Sequence, residues 1–274
     1  MEEVLYDQSS IVIAGALLLA ILAANEAGYR LGRWQRARHD TGAKAQTSAI
    51  QAAMLGLLAL LLGFTFTMAL QRFDNRSQAV ISEANAIGTA YLRTQLLPEE
   101  YREPARKLIN DYLQLCISTS KLDLTEQTER RRAQDDVQRM QDAMWSIALA
   151  AAEQDARPVT TGLFIQSLNE LIDVYGERNA ALRKHVPEVV LFLLFAVFII
   201  AGAVLGFSGG LEGGRPLLAT VAMSMLIVLV IFIIIDLDRP RRGLIEVNQD
   251  SMLDLGAAIA PAAVAASGNS GGGT

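Results

Sequence analysis

The chain has few of the residues that most often carry out chemistry. It contains one cysteine, Cys116, and two histidines, His39 and His185, among 274 residues. A single cysteine excludes an intramolecular disulfide and a cysteine-based metal cluster. The two histidines are far apart in sequence, and each stands beside a basic residue. We interpret them as interfacial side chains and not as metal ligands.

Motifs for catalysis are also lacking. The sequence has no plausibly spaced set of serine, histidine and carboxylate, no phosphate-binding loop and no His-Glu-x-x-His motif. We therefore predict no enzyme, no catalytic residue, no cofactor and no metal. The net charge of −5 comes from segments of mixed sign, so no nucleic-acid partner is expected.

Long apolar runs are what the chain does have. Hydrophobic residues make up 51% of it and charged residues 19%, and the two kinds are segregated. A helix of about 20 apolar residues crosses a bilayer. Three runs reach that length, and a shorter one, Ile11–Ala24, reaches it if its helix continues through Asn25 and Glu26. The predicted transmembrane helices are 10–31, 49–70, 186–207 and 216–236.

The amino-terminal run also has the length of a signal-peptide core. However, residues 1–10 carry Glu2, Glu3 and Asp7 and no basic residue, whereas a secretory signal begins with positive charge. We interpret the run as a retained helix.

Basic residues predict the orientation. Five of them lie within residues 25–49, after the first apolar run, and the positive-inside rule places that loop in the cytoplasm. The segment 71–185 is then periplasmic or extracellular in a multi-pass membrane protein. Arg239, Arg241 and Arg242 oppose this orientation, but the first helix usually dominates. The five residues are Arg30, Arg33, Arg36, Arg38 and Lys44.

The charged middle, residues 71–185, is predicted to be helical because its apolar residues recur every three or four positions. Four amphipathic helices joined near Leu97, Leu122 and Arg157 are typical of an antiparallel four-helix bundle. The first and fourth stripes lead directly out of the second membrane helix and into the third. Pro187, at the start of the third, is compatible with a first-turn position or a local kink. The expected fold is therefore all-α, with four membrane helices and an inserted bundle that continues the flanking helices.

The carboxyl-terminal part is predicted to be membrane-proximal over 239–260, with a short helix at 251–260. Residues 261–274 are alanine, glycine and serine for the most part, and we expect them to be disordered.

Polar residues inside predicted membrane helices are candidates for function, because they are costly in lipid. Glu26, Thr65 and Thr67 are the leading ones. The alternative is structural: Glu26 pairs with Arg30 at the cytoplasmic interface, and the threonines bond their own backbone. Spaced glycines, such as Gly28 with Gly32 and Gly202 with Gly206, favour close helix contact within or between protomers.

Two stretches resemble one family. The run 62–66 is followed by Arg72, Phe73, Asp74 and Arg76, and then by 83–93, which begins Glu83-Ala-Asn85. The second stretch has Asp236, Asp238, Arg239 and Pro240, followed by Gly243. Together they are similar to a bacterial membrane family of unknown function with a bestrophin-like domain. The resemblance covers residues 11–255 and implies a distant relation to bestrophins, which are pentameric anion channels. The aromatic-rich neck of such channels is not evident in this chain.

The motif residues have two interpretations. Glu83 and Asn85 flank an apolar stripe, so we expect them to face neighbouring helices just beyond the membrane. Glu83 is expected to accept hydrogen bonds from Arg72, Arg76 or Arg241, in a structural lock with the turn at 236–240. A ligand or ion site there is the alternative. Asp236 and Asp238 are otherwise expected to be ordinary interfacial charges.

Two functions follow as hypotheses. The first is a homo-oligomeric channel or pore in the lipid bilayer, suggested by small-residue faces, polar membrane residues and the family resemblance. The second is a membrane-anchored sensor or scaffold whose outer helices bind a small ligand or an envelope or inner-membrane protein.

Overall fold

All regular secondary structure is helical in the parts that the computed structural model describes, which are residues 8–36, 42–120, 127–214, 217–239 and 243–268. No strand occurs within these ranges, as predicted. A short 3-10 turn, Thr94–Leu96, follows the second helix. The α-helices of these ranges are α1 Ser10–Arg36, α2 Gly42–Arg93, α3 Glu99–Thr119, α4 Gln127–Gln154, α5 Thr161–Arg183, α6 Glu188–Glu212, α7 Leu217–Leu237 and α8 Asp250–Gly268.

Four helical segments are long and apolar enough to cross a membrane by length and composition, which confirms the predicted number. They lie within Ser10–Arg36, Ala49–Leu96, Thr161–Glu212 and Leu217–Leu237. Helix α1 continues through Asn25 and Glu26, as a spanning first helix requires.

Two junctions were predicted between a membrane helix and the charged middle of the chain, near residues 71 and 186. The helix is continuous at the first junction and interrupted at the second. Helix α2 is a single helix of 52 residues and passes the first junction without a break. At the second junction α5 ends at Arg183, and α6 begins at Glu188 with Pro187 as its N-cap. The fourth stripe therefore leads into the third membrane helix through a break at residues 184–187, and Pro187 stands at the start of α6. Proline lacks a backbone N–H and disfavours helical backbone in the residue before it.

The described residues group into two compact units. The first unit comprises residues 8–36, 42–73, 185–214, 217–239 and 243–245, and the second comprises 74–120, 127–184 and 246–268. Helix α2 contributes residues to both units.

In the first unit, glycines bring α1 and α6 into backbone contact. A Cβ added at Gly206 would lie 1.9 Å from the Asn25 carbonyl oxygen, and one added at Gly28 would lie 2.0 Å from that of Ala203. The Asn25 side-chain amide donates to the Gly202 carbonyl at 3.0 Å across the same contact. The predicted small-residue surfaces thus pack against each other within one protomer. Close approach of this kind is the main attraction available to helices in lipid.

The second unit has a hydrophobic core to which five helices contribute. Its buried residues include Ile87 of α2, Tyr112 of α3, Ala148 of α4 and Leu171 of α5. Met252 of α8 is also fully buried in this core. Helix α8 is therefore part of the packed core of its unit, which the sequence did not reveal.

Helix α8 is longer than the short helix predicted at 251–260. Its backbone is helical to Gly268, so the first eight residues of the predicted disordered tail are helical. Five of those eight residues are alanine or valine, and alanine has the highest helix propensity. Residues 269–274 lie outside the described part of the chain.

Replacement of Gly206 by alanine tests the contact between α1 and α6. The added methyl group would overlap the Asn25 carbonyl oxygen, and overpacking of this kind costs about 1–3 kcal/mol or more. We expect Gly206→Ala to lower the thermal unfolding midpoint of the detergent-purified protein. Gly15→Ala is the matched control, because among the described residues nothing lies within 4 Å of its added Cβ. Equal stability of the two variants would contradict a tight helix contact.

Candidate functional site

A buried ion pair occupies the core of the second unit. Glu83 lies on α2 with 0% exposure, and its carboxylate accepts a hydrogen bond from the guanidinium of Arg178 on α5, which is also buried. An unpaired charge in such surroundings would be strongly unfavourable, so each partner depends on the other. The donor to Glu83 that the structure identifies is Arg178, whereas the sequence pointed to Arg72, Arg76 or Arg241. Arg241 lies outside the described residues.

Weak donors complete the surroundings of the Glu83 carboxylate. The Tyr112 hydroxyl lies 3.4 Å from its Oε1 atom, and the Cys116 thiol lies 3.7 Å from the same atom. Burial raises the pKa of both Tyr112 and Cys116, and the negative charge of Glu83 raises both further. Both groups therefore stay protonated near neutral pH and can act as donors. Cys116 is not an activated nucleophile here.

Gln249, the residue directly before α8, belongs to the same cluster. The Arg178 guanidinium also donates to the side-chain oxygen of Gln249, at 3.4 Å. Gln249 directly precedes α8, and six residues further along Leu255 packs against Gly88 of α2. The ion pair thus connects α2, α5 and the start of α8 within this unit.

Arg76 has a different role from the one predicted. It is only 2% exposed, and its guanidinium donates to the carbonyl oxygens of Ala181 at 3.3 Å and Lys184 at 2.7 Å. These carbonyls belong to the carboxyl-terminal end of α5, where the regular bonds from four residues further along are missing. Arg76 therefore caps α5 and places a positive charge at the negative end of its dipole.

The acidic residues at the end of α7 bind backbone amides. Asp238 accepts from the Val186 N–H at 2.7 Å, and Asp236 accepts from the Ile245 N–H at 2.9 Å. Asp236, Asp238 and Arg239 are 2%, 1% and 5% exposed. The expectation of ordinary interfacial charges is therefore wrong. Carboxylates are excellent acceptors, so they satisfy amides of non-helical segments that would otherwise be buried without partners.

Gly243 is needed for one of these contacts. A Cβ at this position would lie 2.8 Å from the Asp236 carboxylate. The same region includes His185, whose Nδ1 atom lies 3.2 Å from the backbone oxygen of Asp238. These contacts join the end of α7 to the start of α6 and to the segment around Gly243.

The remaining candidate residues of the membrane helices make the local bonds that the structural interpretation predicted. Glu26 accepts from Arg30 at 2.8 Å. The hydroxyls of Thr65 and Thr67 donate to the backbone oxygens one turn earlier in α2, at 2.7 and 2.9 Å. Arg72 is half-buried.

Asn85 does not face the neighbouring helices as predicted, because its side chain is exposed. It lies two residues after the buried Glu83, which is about 200° around an α-helix. The two residues therefore occupy opposite faces.

Arg178 was not among the predicted residues, although the spacing of the apolar residues of α5 indicates it. The apolar stripe of α5 includes Leu171, Tyr175 and Leu182, and Arg178 occupies the position that continues their spacing. Glu83 likewise fits the stripe of α2 between Val80 and Ile87. Charged residues at core positions of two helices indicate a buried pair, because neither can be buried alone.

Substitution of the ion pair tests its contribution to stability. Glu83→Gln leaves Arg178 buried without its counter-charge, and breaking such a pair costs about 3–5 kcal/mol. We expect a large fall in the thermal unfolding midpoint in detergent. The double variant Glu83→Leu with Arg178→Met should recover much of that loss. The control is Glu103→Gln, which removes an exposed partner of Arg106. A Glu83→Gln protein as stable as the control would contradict this account.

Taken together, four apolar helices and an all-helical second unit define a multi-helix membrane protein. The chain belongs to the bestrophin-like family: the model of the bestrophin-like domain matches residues 17–252. The resemblance seen in the sequence is therefore confirmed. Among the described residues no group of histidine, cysteine or carboxylate side chains is arranged to hold a metal ion.

Solved structures show the same fold. A single-residue variant of a bacterial bestrophin homologue from Klebsiella pneumoniae is 19% identical, with a TM-score of 0.65 over 89% of this chain and 97% of that one. A second variant of that homologue is 16% identical, with a TM-score of 0.64 over 92% and 98% of the two chains. No curated protein sequence matches the chain.

Proposed function

We propose that copies of this chain assemble into an oligomeric channel or pore in the bacterial inner membrane. Membership of the bestrophin-like family supports an assembly of this class. The observation in the structure that carries the proposal is the free surface of α2 in its membrane-spanning part.

Helix α2 is the least buried of the four candidate spans. Its apolar part is 17% buried, against 28% for α1 and 33% for α7. Leu57, Leu60 and Phe64 are 54%, 54% and 62% exposed. Within the described residues, nothing lies within 4 Å of a Cβ added at Gly56 or Gly63. This face offers neighbouring copies a surface for close helix contact.

Thr67 adds a polar group to the exposed part of α2. Its hydroxyl donates to Gly63, and its oxygen keeps capacity as an acceptor. Polar groups at membrane depth favour a protein interior or a water-filled passage over lipid. A ring of α2 helices around a central passage would provide that environment for Thr67.

In the proposed arrangement, residues 71–185 form a four-helix bundle in the periplasm. The Glu83–Arg178 pair holds this bundle together, and the contacts of Asp236 and Asp238 hold the ends of the membrane helices. In this proposal these polar residues are structural locks, and the passage is formed by α2.

Substitution of Gly63 tests both assembly and transport. A leucine there would prevent close approach of a neighbouring copy, so we expect Gly63→Leu to lower the oligomer fraction about tenfold, equivalent to about 1.4 kcal/mol. Ion flux into proteoliposomes should fall with it. Gly15→Leu on α1 is the control, because its Cβ also points into open space. Absence of flux for every ion tested, with wild-type oligomers intact, would contradict a channel.

Labelling of single cysteines tests the periplasmic location of the insert. Cys116 is buried and its raised pKa keeps the thiol protonated, so the wild-type chain should react very slowly with maleimides at neutral pH. Val159, at 69% exposure, and the exposed Arg33 are suitable sites. In cells permeabilised only at the outer membrane, an impermeant maleimide should label Val159→Cys and not Arg33→Cys. The reverse pattern would show the opposite topology.

A further inference from the structure

A polar cavity lies among the helices of the first unit. Its volume is about 190 Å³, and it lies at the end of that unit where α6 ends and α7 begins. Most of its side chains can donate or accept hydrogen bonds, which is unusual for helices of membrane-spanning composition. The polar side chains that line it are Asn25, Tyr29, Gln51, Ser208, Glu212 and Thr220.

An apolar groove adjoins this cavity. Gln51 and Leu205 line both, so the groove and the cavity are neighbours. The one polar hydroxyl in the groove, that of Ser224, donates to the Thr220 carbonyl of its own helix at 2.9 Å. The walls of the groove are otherwise apolar for the most part, formed by residues such as Ile21, Leu58, Phe198, Met223 and Ile227.

A crevice in which an apolar groove adjoins a polar cavity fits an amphipathic molecule. A membrane lipid has this character, and the surrounding bilayer supplies it. An acyl chain would occupy the groove, where it makes van der Waals contacts with the apolar walls. The headgroup would then occupy the polar cavity.

The charges at the polar end indicate which headgroup fits. Glu212 is the one formally charged residue among the described residues that line the cavity. Arg36 lies beside the next residue in the chain, since its guanidinium is within 1.8 Å of the place where a Cβ of Gly213 would stand. A carboxylate suits an ammonium group, and a guanidinium suits a phosphate.

We propose that this crevice is a binding site for a zwitterionic aminophospholipid. The ammonium group lies at Glu212, the phosphate lies towards Arg36, and an acyl chain lies in the groove between Leu58 and Met223. The hydroxyls of Ser208 and Thr220 and the side-chain amide of Gln51 provide further hydrogen bonds to the headgroup.

Lipid retention by the purified full-length chain tests the site. The protein in detergent is incubated with phosphatidylethanolamine or phosphatidylglycerol of identical acyl chains, and bound lipid is counted by native mass spectrometry. We expect wild type to retain the ethanolamine lipid at least about threefold better, because only this lipid carries the ammonium group. Glu212→Gln should abolish that preference, and Arg36→Gln should weaken retention of both lipids. Glu177→Gln, an exposed carboxylate of the second unit, is the control.

The groove is tested separately by Met223→Trp, whose larger side chain would fill it and reduce retention of both lipids. Leu193→Trp is the control, since Leu193 is 54% exposed on α6 and does not line the groove. Equal retention of the two lipids by wild type, or Glu212→Gln and Met223→Trp variants that bind like wild type, would overturn the proposal. If Met223→Trp fails to fold, the Glu212 and Arg36 variants test the proposal without it. Both side chains are exposed, so their replacement should not prevent folding.

Discussion

The first unit depends on the backbone contact between α1 and α6. Lipid removes the hydrophobic attraction between helices, so association relies on close packing and on hydrogen bonds between helices. Gly28, Gly206 and Gly210 allow carbonyl oxygens of one helix to lie where a side chain of the other would stand. The amide of Asn25 then reaches Gly202 across the contact. The same approach places Tyr29 and Ser208 in the wall of the polar cavity, so the cavity is a consequence of how the two helices pack.

Buried charge organises the rest of the described structure. Glu83 is compensated by Arg178, and Arg76 satisfies the carbonyls at the end of α5. Asp236 and Asp238 satisfy backbone amides of the segments that begin and follow the membrane helices. Each of these side chains meets a group that secondary structure alone leaves without a partner. The polar motif residues therefore have a structural explanation. For this reason the proposed passage is formed by the exposed face of α2 and not by these residues.

The two proposals concern different surfaces of the first unit. The exposed face of α2 around Gly56 and Gly63 is suited to another copy of the chain, because small residues permit close helix contact. The crevice near Glu212 is suited to a lipid, because it joins an apolar groove to a polar cavity. A bound lipid would fill space between helices that protein side chains leave open. It would thereby stabilise the arrangement that presents α2 to its neighbours.

The sequence by itself determined the helical class, the four membrane helices and the family, because apolar length and helical period are local properties. It also indicated the glycine surfaces and the local bonds of Glu26, Thr65 and Thr67, which involve residues one turn away. Only the tertiary structure decided that Glu83 pairs with Arg178, that Asp236 and Asp238 are buried, and that α8 joins a core. These features join residues far apart in the chain, and several residues compete as donors to one carboxylate. The choice among them depends on which side chains the packed helices bring within hydrogen-bond distance.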